Sequence, residues 1–106
     1  MLEKTLKTCD SLIKVDPDDV SPYRDRAFIL LQLCRNREAL KAIEQALTMD
    51  PYCSRSYYVK GLILEKLQHP EEALHAYKKA TKLDPSDRNV IEARNTIQTK
   101  LDQKIL

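Results

Sequence analysis

The sequence predicts an all-α fold of repeated antiparallel helix pairs, with about six helices. Its 106 residues are rich in the helix formers Leu, Ala, Lys and Glu and include a single Gly. Asp-Pro pairs recur at residues 16–17, 50–51 and 84–85, a spacing of 34 residues each time. Because proline lacks a backbone N–H and disfavours helical geometry at the preceding residue, each pair should end one helix. A helix stop at a fixed spacing indicates a repeat architecture.

Residues 20–53 and 54–87 form two matching repeats. Most of the residues that they share are apolar or small, so the packing geometry is what repeats. A small residue also recurs, Ala27 in the first repeat and Gly61 in the second. The identical pairs at the 34-residue offset are Tyr23/Tyr57, Ile29/Ile63, Leu30/Leu64, Leu33/Leu67, Glu38/Glu72, Ala39/Ala73, Leu40/Leu74, Ala42/Ala76 and Ala46/Ala80.

Each repeat divides into two helices. In the first repeat an apolar stripe at positions 23, 27, 30 and 34 follows helical spacing, which extends the predicted first helix to Cys34. Asn36 is the predicted N-cap of the second helix. In the second repeat, Pro70 followed by Glu71 and Glu72 is a strong helix start. Small residues on both helices allow close approach, so each repeat is a helical hairpin.

The two repeats resemble the tetratricopeptide repeat. Both copies have the same residue types at the same spacing as that family: an aromatic residue, two small residues, a large residue, Ala and a closing Pro. Arg26 and Lys60 depart from this pattern, since Leu is usual there, and Leu30 and Leu64 replace a frequent aromatic. The resemblance implies a right-handed α-solenoid. It is carried by Tyr23, Ala27, Ala39, Ile43, Ala46 and Pro51, and by Tyr57, Gly61, Ala73, Tyr77, Ala80 and Pro85.

The flanking segments extend the array. Residues 1–17 resemble the second helix of a partial repeat, because an apolar stripe precedes Asp16-Pro17. Residues 88–106 are predicted to form a polar capping helix. The predicted organisation is a single domain, 1–106: half a repeat, repeats 20–53 and 54–87, and the capping helix. The apolar side of that helix is predicted to carry Val90, Ile91, Ile97, Leu101 and Ile105.

The resemblance implies that first helices line the concave face of the solenoid. On each first helix, a second stripe beside the packed one carries apolar residues that a solvent-facing helix does not need. We therefore predict a groove that binds an extended or helical peptide of another protein, with two arginines positioned to hold a carboxylate. Packing on neighbouring repeats or on a terminal helix is the alternative. The predicted binding residues are Arg24, Phe28, Leu31, Arg55, Tyr58, Val59, Leu62 and Glu65.

The carboxylate clamp of chaperone-binding family members is not expected here. Asp25 stands where that clamp has an Asn, and an acid repels a carboxylate. Val59 stands at the position of the clamp Arg, although Arg55 matches the preceding basic position. The first repeat of such an array is only half present.

No catalytic residue, metal site or cofactor is predicted. The three cysteines and two histidines lack the spacing of a metal site, and the single Gly excludes a Gly-rich phosphate loop. A net charge of +2 gives no sign of nucleic-acid binding, and no apolar run is long enough for membrane insertion. Because no secretory signal is present, we expect a cytoplasmic, intracellular protein.

Two further interpretations remain open at the level of sequence. The face of the first helix that carries Leu2, Leu6, Cys9 and Ile13 is expected to stack on another copy, as a homo-oligomer, or on further repeats of a longer scaffold or co-chaperone protein. A chaperone that holds many unfolded segments uses the same groove.

Overall fold

The computed structural model describes residues 1–105, apart from the side chain of Ile105, so that part of the predicted capping stripe lies outside the described residues. The described residues form six helices and no strand, which confirms the all-α helical-repeat fold. Short turns join consecutive helices. The helices are α1 (Leu2–Val15), α2 (Ser21–Gln32), α3 (Asn36–Met49), α4 (Ser54–Lys66), α5 (Pro70–Leu83) and α6 (Arg88–Ile105).

The Asp-Pro pairs end α1, α3 and α5, as predicted. In each case the Asp N–H donates the last helical hydrogen bond, to the carbonyl oxygen four residues earlier, and the following proline prevents a further turn. The three bonds run from Asp16 to Leu12 at 3.0 Å, from Asp50 to Ala46 at 2.9 Å and from Asp84 to Ala80 at 2.9 Å.

A second aspartate, three residues after the first, starts the next helix in two of the three turns. The Oδ1 atom of Asp19 accepts the N–H of Ser21 at 3.0 Å, and that of Asp87 accepts the N–H of Asn89 at 3.1 Å. Both bonds satisfy donors that the first helical turn leaves without a partner. In the middle turn this position is Cys53, whose side chain makes no capping hydrogen bond to α4 among the described residues.

The chain has two compact units, Met1–Pro51 and Tyr52–Leu106. Their boundary lies close to the predicted repeat boundary at residues 53–54; the single-domain organisation itself stays a prediction. In the first unit, α2 packs against both α1 and α3. Its buried apolar residues are Cys9, Ala27, Ile29, Leu30, Ala39, Ala42, Ile43 and Ala46.

One departure from the family pattern has a structural explanation in this unit. The Nε atom of Arg26, on α2, lies 3.0 Å from Oδ1 of Asp10, on α1. Arg26 therefore links two helices through a polar contact where most repeats have an apolar one. Both side chains remain partly exposed, so the pair contributes little to stability.

In the second unit, α5 packs against both α4 and α6. Gly61 on α4 lies directly against the ring of Tyr77 on α5. Val90 and Ile97 of α6 are buried as predicted, whereas Ile91 and Leu101 are half-buried. The other buried apolar residues of the unit are Val59, Ile63, Leu64, Ala73, Ala76, Tyr77 and Ala80.

Two local predictions were wrong. Cys34 is not part of the apolar stripe of α2, because the helix ends at Gln32 and Cys34 is exposed with a φ of 61°. Asn36 is the first residue of α3 and not its N-cap, which is Arg35. The Asn36 Oδ1 atom is buried and has no hydrogen-bond partner among the described residues.

The ends of α2 and α4 share one geometry that explains the first of these errors. Cys34 and the equivalent Gln68 both have a left-handed backbone, with φ values of 61° and 66°. Their N–H groups bond to Leu31 at 3.0 Å and Glu65 at 3.1 Å. The next residues, Arg35 and His69, each bond at 2.9 Å to the carbonyl five residues earlier, which completes a Schellman motif.

No helix in the described part of the chain combines the length and the apolar character needed to cross a membrane.

Candidate functional site

The predicted binding residues of the first unit lie on one side of α2. Arg24, Phe28 and Leu31 follow i, i+4, i+7 spacing, which places them along one helix face. Arg24 and Leu31 are half-buried, and Phe28 is 41% exposed. We call these three residues the α2 strip. The strip borders the packed core of the unit and presents apolar surface to solvent.

Four of the five predicted residues of the second unit form a corresponding strip on α4. Arg55 is exposed, and Tyr58, Leu62 and Glu65 are half-buried. We call these four the α4 strip. Val59 is different, because it is only 5% exposed and belongs to the core of the unit. A side chain so buried offers a ligand almost no surface, so Val59 supports the fold and is removed from the set of candidate contacts.

Several charged side chains influence Tyr58 of the α4 strip. Burial raises the pKa of its hydroxyl, and the carboxylates of Asp87, Glu65 and Glu92 raise it further, whereas Arg55 lowers it. Three acids against one base make the surroundings of Tyr58 favourable to hydrogen-bond donors and cations. Arg55 is the basic residue that acts on Tyr58, and the prediction that Arg24 and Arg55 hold a carboxylate stays a prediction.

Tyr58 of the α4 strip packs on the buried ring of Tyr77. The rings of Tyr58 and Tyr77 lie 6.0 Å apart between centroids, tilted by 41°, within the range of favourable aromatic pairs. Burial, with a smaller contribution from Glu65, raises the pKa of the Tyr77 hydroxyl. The Glu65 carboxylate interacts with this hydroxyl, but among the described residues no atom meets the full geometry of a hydrogen bond to it.

A cleft of about 390 Å³ begins at Glu65 and lies between the C-terminal end of α4 and α6. We call it the lysine cleft. Its floor is Ile97, which is buried, and Leu101, which is half-buried. The exposed residues Lys66, Lys100 and Lys104 line its rim, and the turn between α4 and α5 closes one end.

Sequence reasoning did not find the lysine cleft. The segment 88–106 is polar on average, and it was therefore predicted to be a solvating cap. The available signal was the spacing of Ile97, Lys100, Leu101 and Lys104, which is i, i+3, i+4, i+7 and places all four on one helix face. Which neighbour this face meets depends on the packing of α6, which the sequence does not give.

The apolar face predicted for self-assembly is largely covered within its own unit. Cys9 is buried and Leu2, Leu6 and Ile13 are half-buried. The exposed apolar side chains of α1 are instead Leu12 and Val15, at 50% and 83% exposure.

The remaining chemistry-bearing side chains do not gather into a site. His69 and His75 are exposed, and Cys9, Cys34 and Cys53 are separate thiols. Within residues 1–105, no three ligands of the His, Cys, Asp and Glu types group as a metal site.

Comparison with solved structures shows many chains of the same fold. A structure of Naa15/Naa10 bound to HypK-THB matches with a TM-score of 0.86 and 25% identity over 94% of this chain, which spans only 15% of that one. The first TPR of Spaghetti (RPAP3), bound to the HSP90 peptide SRMEEVD, matches with a TM-score of 0.89 and 19% identity, over 95% of this chain and 80% of that one.

A third similar structure is the TPR2B domain of yeast Sti1 in its pHsp70 complex. It matches with a TM-score of 0.83 and 24% identity, over 90% of this chain and 81% of that one. At such identities the likeness concerns the fold. A search of the curated proteins found no match.

Family models match almost the whole repeat region. A model described as tetratricopeptide repeat matches residues 1–56, which is more than half of the chain, and a second model with the same description matches residues 54–87. Together with the helix pairs, the 34-residue period and the Asp-Pro turns, these matches establish that the chain belongs to the tetratricopeptide repeat family.

Proposed function

We propose that this chain is a non-catalytic protein-interaction module that binds a peptide or helical segment of a partner protein through the α2 and α4 strips. Each strip lies within one unit, the α2 strip in the first and the α4 strip in the second. One observation carries the proposal. At equivalent positions of the two repeats, Phe28 and Leu62 are large apolar residues outside the packed core, and Phe28 is 41% exposed.

The recurrence of a large apolar residue outside the core, at positions 28 and 62, favours a binding role over chance exposure of apolar side chains. Single exposed apolar residues are common on proteins and need no function. Here an apolar side chain recurs after 34 residues on the same side of a first helix, while the charged residues of the strips change. Hydrophobic anchors with polar neighbours are typical of helix-in-groove and peptide recognition.

The similar structures support the same class of function. The Spaghetti (RPAP3) domain is bound to an HSP90 peptide, and the Sti1 domain is in a complex with pHsp70. For this chain, a role within a larger scaffold or co-chaperone is therefore a proposal. Binding through the carboxylate clamp is not part of it, because Asp25 and the buried Val59 stand at two of the clamp positions.

The electrostatics of the strips define the ligand further. The carboxylates of Asp87, Glu65 and Glu92 each raise the pKa of Tyr58, so a donor or a basic group on the ligand segment is favoured there. Arg55 accommodates an acidic group at the N-terminal end of α4. Both strips lie on helices that are formed without the ligand, so the ligand bears most of the ordering entropy in this proposal.

The test is affinity capture from cell lysate with the Phe28→Ala/Arg55→Glu variant beside the wild type. The matched control is Arg37→Glu/Leu83→Ala, because Leu83 is also 41% exposed and Arg37 is an exposed arginine outside the strips. We expect one or more proteins to be captured by the wild type and the control and lost with the strip variant. Capture by all three forms alike contradicts the assignment of the strips, provided that their melting temperatures agree.

Self-assembly is the second candidate, and the exposed Leu12 and Val15 on α1 favour it. If the chain associates through this surface, sedimentation velocity will show a larger species as concentration rises, and Leu12→Glu/Val15→Glu will remove it. A single monomeric species at all concentrations contradicts this candidate.

A further inference from the structure

We infer that the lysine cleft is a second binding site, and that it binds an acidic amphipathic segment of a partner protein. It shares only Glu65 with the α4 strip and lies between α4 and α6 in the second unit. The inference does not depend on binding at the strips, because the residues that carry it lie outside them.

The first argument is the combination of shape and polarity. The volume of about 390 Å³ falls in the range of roughly 300–1,000 Å³ that ligand pockets occupy. The floor, Ile97 and Leu101, is apolar, and burial of a partner's apolar side chain on it removes hydrocarbon surface from water. A floor of this kind favours a peptide side chain over a phosphate backbone.

The second argument is the charge of the rim. Three lysines, Lys66, Lys100 and Lys104, face the cleft with a single acid, Glu65. Among the described side chains, none of these lysines forms an ion pair. The local excess of positive charge stands out because the chain as a whole is nearly balanced, with 18 basic and 16 acidic residues. Carboxylates on a bound segment complement this rim.

The third argument is the arrangement along α6. Ile97 and Leu101 are one turn apart, and Lys100 and Lys104 are also one turn apart on the same side. An amphipathic helix with an apolar stripe between acidic residues has the matching pattern, since its own side chains repeat at the same spacing. The occupant is thus an acidic helical segment, recognised by its side chains and not by a free terminus.

The test uses fluorescence anisotropy with a labelled helical peptide that carries a leucine stripe flanked by glutamates. A second peptide of the same pattern has glutamine in place of glutamate. We expect the glutamate peptide to bind the wild type at least about tenfold more tightly than the glutamine peptide, with affinity falling as salt rises. Amide signals of residues 97–104 should shift in the NMR spectrum when the peptide is added.

The decisive variant is Lys100→Glu/Lys104→Glu, with Lys78→Glu/Lys82→Glu as its matched control. Both pairs are four residues apart on a helix of the second unit, and Lys104 and Lys82 each lie in a last helical turn. We expect the cleft variant to bind the glutamate peptide at least about tenfold more weakly, because two attractive charges become repulsive ones. The control variant should bind it with unchanged affinity. Circular dichroism checks that both variants remain helical.

Any of these results overturns the inference: no binding by the wild type, equal binding of the two peptides, equal loss in both lysine variants, or tighter binding of a single-stranded oligonucleotide. Self-association that the cleft variant abolishes also overturns it, because the occupant is then a second copy of the chain. The Phe28→Ala variant separates the two sites, since it should impair capture through the strips and leave the peptide affinity of the cleft unchanged.

Discussion

The ring of Tyr77 packs directly on the backbone of Gly61. A Cβ atom at position 61 would lie 2.5 Å from Cδ1 and 2.8 Å from Cζ of this ring, and closer still to Cε1. Tyr77 is fully buried, so a shift of its ring displaces the residues packed around it. The equivalent residues of the first unit are Ala27 and Ile43. Each repeat thus combines a larger residue on its second helix with a smaller one on its first, and the larger Tyr77 requires the smaller Gly61.

Replacement of Gly61 by alanine should therefore destabilise the protein, although alanine is the better helix former by about 1 kcal/mol. The added methyl group forces either the Tyr77 ring or α4 to shift, and overpacking of this kind costs about 1–3 kcal/mol. Urea denaturation of Gly61→Ala should show a lower midpoint with an unchanged slope.

The double variant Gly61→Ala/Tyr77→Ile supplies the control, because it reproduces the Ala27 and Ile43 combination. Tyr77→Ile alone leaves a cavity and is also destabilising. In a double-mutant cycle, the cost of the methyl group should be much smaller with Ile at position 77 than with Tyr. An equal cost in the two backgrounds would show that the ring is not the cause.

The left-handed residue at the end of α4 provides a second prediction. Gln68 has a φ of 66°, a conformation that side-chain-bearing residues adopt at a cost of about 1–2 kcal/mol. Gly bears no such cost but loses more backbone entropy on folding, so Gln68→Gly should raise the free energy of unfolding by about 0.5–1 kcal/mol. Thermal and urea denaturation measure the change.

Gln68→Ala is the matched control, because it also removes the long side chain but keeps the Cβ atom. It should leave stability nearly unchanged. A gain of equal size with alanine would mean that the side chain of Gln68, and not its backbone conformation, is unfavourable. Cys34→Gly should behave like Gln68→Gly, since Cys34 has the equivalent position in the first unit.

The fold was predictable because its signals are local and repeated. Proline is tolerated in the first turn of a helix, as at Pro22 and Pro70, but a helix that reaches a proline from its N-terminal side ends there. The ends of α1, α3 and α5 therefore followed from three Asp-Pro pairs. The small residues at positions such as 27, 39 and 46 report close helix packing, and all three are fully buried. The position of Cys34 was not predictable from periodicity, because a residue just past a helix end continues the helical spacing while its backbone has already turned.

The candidate site was predictable only in part. The side of the helix that carries Phe28 and Leu62 followed from the stripe beside the packed one. The burial of Val59 did not follow from the sequence. Tyr58 and Val59 both lie next to the packed stripe of α4, and only the packing of the unit decides which of the two side chains is covered. The lysine cleft depends on how α6, packed on α5, is placed beside the end of α4. The polar average composition of residues 88–106 gave no sign of it.

The three cysteines should differ in reactivity in the folded protein. Cys34 is exposed, Cys53 is half-buried and Cys9 is buried. Burial raises the pKa of the Cys9 thiol, and the nearby carboxylates of Asp25 and Asp10 raise it further. Since the thiolate is the reactive form, iodoacetamide should modify Cys9 at least about tenfold more slowly than Cys34.

Mass spectrometry of peptides taken at successive times measures the three rates. In concentrated denaturant the rates should converge, because burial and the folded arrangement of charges are lost. Rapid modification of Cys9 under native conditions would contradict the packing of α1 against α2.

The last prediction concerns the turn before α6 and the dependence of its stability on pH. The Oδ1 atom of Asp84 accepts the hydroxyl of Ser86 at 2.7 Å and its backbone N–H at 3.1 Å. Both bonds lower the pKa of Asp84, and the bond from the Ser86 hydroxyl has the larger effect. Because the folded pKa is the lower one, the turn is stabilised above the unfolded pKa of about 3.9, and this contribution is lost as pH falls through the folded value.

The Ser86→Ala variant removes the hydroxyl and keeps the N–H, so it should raise the pKa of Asp84 towards its ordinary value. Carboxyl ¹³C NMR between neutral pH and pH 2 follows the titration directly, and Ser11→Ala, an exposed serine of α1, is the control that should leave it unchanged. With Ser86→Ala, the dependence of stability on pH below about 4 should also become shallower. An Asp84 titration that is the same with and without the Ser86 hydroxyl would show that this bond does not hold the turn in solution.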